Sequence, residues 1–192
     1  MSRRRIIQLV IGAIAGIALA WAAMRGLERL IRPRPAPPPV VATQPAPATA
    51  HITATLFYVS DDGLMLVPVK REVPLAEGVV AQGREIVESE LEPPEPPYVS
   101  PMPKGTMLRA FYVTERGDAF VDLSPEVSRA HPGGTAAELL TVYAIVNAVA
   151  TNLPAVQRVQ ILVDGKPVDT IAGHVDIRRP LQRNDAITQP AK

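Results

Sequence analysis

From Ile6 to Met24 no residue is charged and nearly all are apolar, with Gln8 the polar exception. Nineteen residues at a rise of ~1.5 Å make ~28 Å of helix, close to the ~30 Å hydrocarbon core of a bilayer. Arg3, Arg4 and Arg5 precede the run, and Trp21 stands near its far end, where an amphipathic ring suits a membrane interface. The pattern predicts one transmembrane helix at 6–24, an uncleaved signal anchor behind a cytoplasmic basic stub at 1–5. A signal peptide cleaved near Ala20-Trp21-Ala22 is the alternative, but the apolar run is long for one. A buried core helix would need a polar face that the run lacks. Pro33, Pro35, Pro37, Pro38, Pro39, Pro45 and Pro47 then exclude helix and favour extended polyproline II, so 25–49 reads as a linker. Roughly fifteen such residues at ~3.1 Å each would hold the rest of the chain ~45 Å from the membrane.

Beyond the linker the pattern changes to short alternating runs. His51 to Val59 is β-branched and alternating, Asp61-Asp62-Gly63 is a turn signal, and Leu64 to Val69 returns, with Pro68 suited to an edge. Glu77 to Leu91 carries apolar residues at helical spacing, with Arg84, Glu85, Glu88 and Glu90 read as its solvated side. Pro93 to Pro103 reads as an exposed loop. Met107–Thr114 and Ala119–Leu123 read as strands around a turn at Glu115-Arg116-Gly117-Asp118. Thr135 and Glu138 fit a capping box for a helix running to about Asn152. That helix is apolar nearly all round, which predicts burial on more than one side. Val156–Val163, the turn signal Asp164-Gly165 and a return over Val168–Ala172 complete the pattern. The order ββ-α-ββ-α-ββ predicts an α+β fold, a mostly antiparallel sheet with helices on one face, at 50–181. Residues 182–192 read as a polar tail.

Charge sharpens this division. The net charge of +1 over 192 residues combines +6 in residues 1–48 with −5 in residues 49–192. A mildly acidic globular part argues against nucleic acid as its main partner, because phosphate neutralisation needs a basic face. The chain has no cysteine, which excludes disulfides, zinc–thiolate sites, cysteine nucleophiles and a lipid carried on a cysteine. No G-x-S-x-G elbow and no phosphate-binding glycine loop is present.

Several segments carry a resemblance. Leu56-Phe57-Tyr58-Val59-Ser60-Asp61-Asp62-Gly63 with Leu66 to Val73 forms an opening hairpin, and Pro103-Lys104-Gly105-Thr106 leads into a strand. Val121-Asp122-Leu123-Ser124, Gly133-Gly134-Thr135 with Glu138-Leu139-Leu140, and Tyr143 to Asn147 come next. Leu162-Val163-Asp164-Gly165, Ala172-Gly173-His174-Val175-Asp176 and Arg179-Pro180 close the series. In this order they resemble the GerMN domain of sporulation and spore-germination proteins, over roughly 54–181. The resemblance implies an extracytoplasmic binding or assembly domain with no established catalytic residue.

Candidate chemistry is sparse. His174 and Asp176, spaced i, i+2, share a face if extended and would suit a metal, with Asp122 and His131 as further ligand candidates. A capping role for His174 or Asp176 in the turn after the hairpin is the structural alternative. Asp122 would organise a loop through backbone N–H groups, and Asn147, on an apolar helix, must bridge to a neighbouring strand or a partner. Lys70, Arg71 and Arg109 at strand edges, with the Pro93–Pro103 loop, are the candidate docking surface. The expected function is a non-enzymatic envelope module, without cofactor or metal, that binds an envelope protein or itself. A peptidoglycan-binding module and a metal-assisted hydrolase around His174 and Asp176 are the rivals. The expected location is the bacterial inner membrane, single-pass, with the C-terminal domain outside the cytoplasm.

Overall fold

A computed structural model describes residues 19–26 and 50–190. The chain divides into two compact units, Met1–Ala46 and Pro47–Lys192. In the first, residues 19–26 are helical, and the Arg25 guanidinium lies 4.3 Å from the centre of the Trp21 ring. Among the described residues no helix is long and apolar enough to cross a membrane. The predicted stub at 1–5, most of the predicted span at 6–24 and nearly all of the linker at 25–49 lie outside the described residues.

The second unit contains strands β1 (His51–Val59) and β2 (Leu66–Pro74), helix α1 (Val79–Leu91), and strands β3 (Leu108–Val113) and β4 (Asp118–Leu123). Helices α2 (Glu126–Arg129) and α3 (Thr135–Asn152) come after them, then β5 (Arg158–Val163), β6 (Lys166–Pro167) and a 3₁₀ turn at Asp185–Ile187. The α+β class holds, but the single sheet does not. β1 and β2 form their own antiparallel pair, and β3-β4-β5-β6 form a second, mixed sheet. β4 and β5 run parallel because α3 lies between them in sequence and carries the chain back to its starting end. α3 packs against β1 of one sheet and β5 of the other.

α3 is buried around its whole circumference, with Ala144 to Val149 all inside, as its apolar sequence requires. α1 packs on β3 and α3. It comes so close to β3 that a Cβ placed on Gly83 would run into the Phe111 ring. Glu90 departs from the expected solvated side of α1. Its side chain is fully buried, and Oε2 accepts the Phe57 N–H at 3.0 Å.

That bond belongs to a series along β1. On the edge facing away from β2, Thr55 gives its N–H to Asn152 Oδ1 at 2.8 Å and accepts from Asn152 Nδ2 at 2.8 Å. Phe57 is met by Glu90, and Val59 donates to the Val99 carbonyl at 2.8 Å. The ends of both helices and the Val99 loop therefore close one edge of the two-stranded sheet.

The expected return strand over Val168–Ala172 does not form; only Lys166–Pro167 ahead of it, β6, pairs with β5. Asp164 (φ 53°) and Gly165 (φ 76°) make the tight turn, but the chain then leaves β5. It meets β5 again at Leu181, which exchanges two 2.8 Å backbone bonds with Val159. Residues 182–190 are not a free tail: Gln189 donates to the Leu66 carbonyl at 2.8 Å, and Ile187 packs on the core.

Candidate functional site

The segment that leaves β5 is held by one carboxylate. Gly133 (φ 83°) and Gly134 (φ 90°) turn the chain into α3, and the helix begins without a side-chain cap. The expected capping box is therefore absent. Glu138 instead turns its fully buried side chain away from the helix backbone, towards the loop at 170–174. Oε1 accepts N–H groups from Ile171 at 2.8 Å and Ala172 at 2.7 Å, and Oε2 accepts the His174 N–H at 2.7 Å. His174 Nδ1 lies 3.2 Å from the same Oε2. Burial pushes the carboxyl pKa up, but the three backbone donors and His174 outweigh it and hold it below the ordinary carboxylate range. Glu138 is thus an ionised anchor at neutral pH, and capture of these N–H groups explains why they are missing from a β5 hairpin.

The expected pairing of His174 with Asp176 does not form. His174 turns to Glu138, whereas Asp176 lies exposed and binds the Arg178 guanidinium at 2.6 and 2.9 Å. That guanidinium, together with the Arg178 backbone N–H, holds the Asp176 carboxyl well below its usual range. His131 serves another junction. Its Nδ1 accepts the Gly133 N–H at 2.9 Å, so the proton of the neutral ring sits on Nε2, 3.2 Å from the Thr141 hydroxyl. Thr141 in turn donates to the Pro101 carbonyl at 2.7 Å. Burial lowers the His131 pKa, which favours this neutral form.

Asp122 organises a loop as expected, but the loop is the β5–β6 turn. Oδ1 accepts the Gly165 N–H at 2.7 Å, and Oδ2 accepts from Arg109 Nε at 3.2 Å. Arg109 also binds Asp164, so it clamps the turn and is no free surface cation. Asn147 does not bridge to a strand. Nδ2 donates to the Asn184 carbonyl at 3.0 Å, and Oδ1 accepts the Asn184 N–H at 2.9 Å. Ser124 Oγ accepts the Met107 N–H at 3.0 Å.

The surface expected around Lys70, Arg71 and the Pro93–Pro103 loop contains a sizeable hollow. This groove of about 750 Å³ is lined by Val67, Val69, Lys70, Tyr98, Gln189 and Pro190. Tyr98 forms one wall by stacking on buried Tyr58, with ring centres 5.7 Å apart. Arg71 donates to the Tyr58 hydroxyl at 3.0 Å, while Lys70 is exposed. Sequence reasoning missed Glu90 and Glu138 as interior groups. Charge and spacing read Glu90 as solvated and Glu138 as half of a capping box, and only the positions of their distant backbone partners reveal them.

These bonds define an α+β module whose loops are held by its own acids and imidazoles. Residues 55–169 match the family described as Germane, sporulation and spore germination, and the chain belongs to that family. The resemblance read from the motifs therefore holds. The tandem GerMN domains of the sporulation protein GerM from Bacillus subtilis share the fold at 15% identity and a TM-score of 0.57, over 69% of this chain and 46% of that one. The first GerMN domain of the same protein gives 16% identity and a TM-score of 0.54, over 69% and 98%. A Clostridium perfringens protein described as a lipoprotein gives 23% identity and a TM-score of 0.50, over 74% and 95%. At these identities the likeness is one of fold alone. No curated protein matches the chain.

Proposed function

We infer that the chain is a membrane-tethered binding or assembly module of the bacterial cell envelope, working without catalysis in a sporulation- or germination-type process. The observation that carries this reading is the engagement of the reactive side chains. Glu138, His174, Asp122, Asn147 and His131 each hold a loop or tail of the domain itself. Family membership supports the process, and the description of a fold relative as a lipoprotein supports an envelope location. The uncharged run at 6–24 supports a single-pass anchor in the inner membrane, with the domain beyond it outside the cytoplasm. Lys70 and the groove beside it are the part of the surface offered to a partner.

Protease added to intact spheroplasts should remove the domain while leaving a cytoplasmic marker whole. Site-specific photocrosslinking from Lys70 in the full chain should then yield a discrete envelope-protein or self adduct. A domain protected from protease, or adducts only with cytoplasmic proteins, overturns the reading. Sedimentation of the full chain with purified peptidoglycan, unaffected by changes at Lys70, would replace protein docking with wall binding.

A further inference from the structure

The two edges of the β1–β2 sheet are treated differently. In the antiparallel register, Val59, Phe57, Thr55, Thr53 and His51 lie opposite Leu66, Pro68, Lys70, Glu72 and Pro74. The outward bonds of Thr55, Phe57 and Val59 show that these are the pairs whose backbone groups point away from each other. The same five positions of β2 therefore face out along its free edge. The Leu66 carbonyl is taken by Gln189, and the Pro74 carbonyl by Gln82 Nε2 at 3.0 Å. Pro68 and Pro74 have no N–H to offer. Among the described residues, Lys70 and Glu72 are left with N–H and C=O groups that meet no protein partner.

We propose that this edge pairs with the same edge of a second copy of the chain, antiparallel, with Lys70 opposite Glu72 of the other copy. The two-fold axis then passes through Arg71, and Lys70 and Glu72 exchange four N–H···O=C bonds with their counterparts. Each Lys70 side chain lies across from a Glu72 carboxylate, so two opposite-charge cross-strand pairs form. The same register sets Pro68 against Pro74, so the two residues that lack an N–H face each other and no donor is left unpaired. Edge prolines and lysines ordinarily discourage strand addition. Here they restrict it to one short register. Closure of the β1 edge by Asn152, Glu90 and Val99 removes the other edge, so assembly stops at two copies instead of growing into a fibre. The inference deepens the docking reading above by naming the partner.

The full chain, reconstituted in detergent or nanodiscs, tests this by analytical ultracentrifugation over a concentration series, with circular dichroism to verify folding. Lys70→Glu and Glu72→Lys each create two like-charge pairs and should lower the association constant about tenfold. The double variant should recover it, as should an equimolar mixture of the two single variants. Because the natural chain has no cysteine, Arg71→Cys should give a covalent dimer under mild oxidation, while Glu115→Cys on the distant β3–β4 turn should not. A chain that stays monomeric throughout overturns the proposal, as does a dimer insensitive to the charge reversals. Envelope-protein adducts from Lys70 in a monomeric chain would sink this inference and leave the proposed function standing. A charge-sensitive dimer protected from external protease would do the reverse.

Discussion

Removing the Glu138 carboxylate is the sharpest test of how the domain is closed. Glu138→Ala leaves three N–H groups without an acceptor: that of Ile171, which is buried, and those of Ala172 and His174, which water partly reaches. A buried donor without a partner costs about 1–3 kcal/mol, so partial rescue by water brings the total to about 3–5 kcal/mol. In a domain of this size that lowers the melting midpoint by about 10–17 °C. Glu138→Gln keeps one acceptor oxygen but sets an amide N–H₂ against the loop, and should cost about 1–3 kcal/mol. Urea unfolding at neutral pH measures both, and amide exchange should show lost protection centred on 171–174. The pH dependence has a fixed sign. The folded carboxyl titrates below its unfolded value, so its stabilisation is present above the ordinary carboxylate range and is lost as pH falls through the folded value. The gap between the wild type and Glu138→Gln should narrow on acidification. A helix cap alone would be worth about 1 kcal/mol. A loss no larger than that for Glu138→Ala, with exchange at 171–174 unchanged, would refute the anchor.

Three further outcomes are expected from the packing. Asn147→Ala removes both bonds to Asn184 and should cost about 2 kcal/mol, opening residues 182–190 to limited proteolysis. Burial holds the Glu90 carboxyl far above its usual range against the pull of the Phe57 N–H and Arg71. The native state therefore keeps a proton that the unfolded chain loses, and stability falls as pH rises past the ordinary carboxylate value. Glu90→Gln retains an acceptor for Phe57 and should flatten that decline, seen as urea midpoints that converge with or overtake the wild type at higher pH. Gly83→Ala drives a methyl into the Phe111 ring and should cost about 2 kcal/mol. Phe111→Leu in the same chain should recover part of that loss, and simple additivity of the two changes in thermal unfolding would contradict the close contact.

Local pattern was enough to place most elements. The His51–Val59 strand and the helix from Thr135 to Asn152 were legible because alternation, helical period and turn residues act within a few residues of themselves. The all-round apolar surface of α3 announced its central place for the same reason. The assignment of polar side chains was not legible. Glu138 finds its donors 33, 34 and 36 residues away, and Asn147 finds Asn184 37 residues away. Which backbone groups are left unpaired at those places depends on where the whole chain has turned. A short-range rule reads Glu138 as a cap and Glu90 as surface because it sees charge and spacing but no neighbours. The division into two sheets, the parallel β4–β5 pair and the open edge at Lys70 and Glu72 were decided by packing around α3, since backbone hydrogen bonds between strands are set by which segments the core brings side by side.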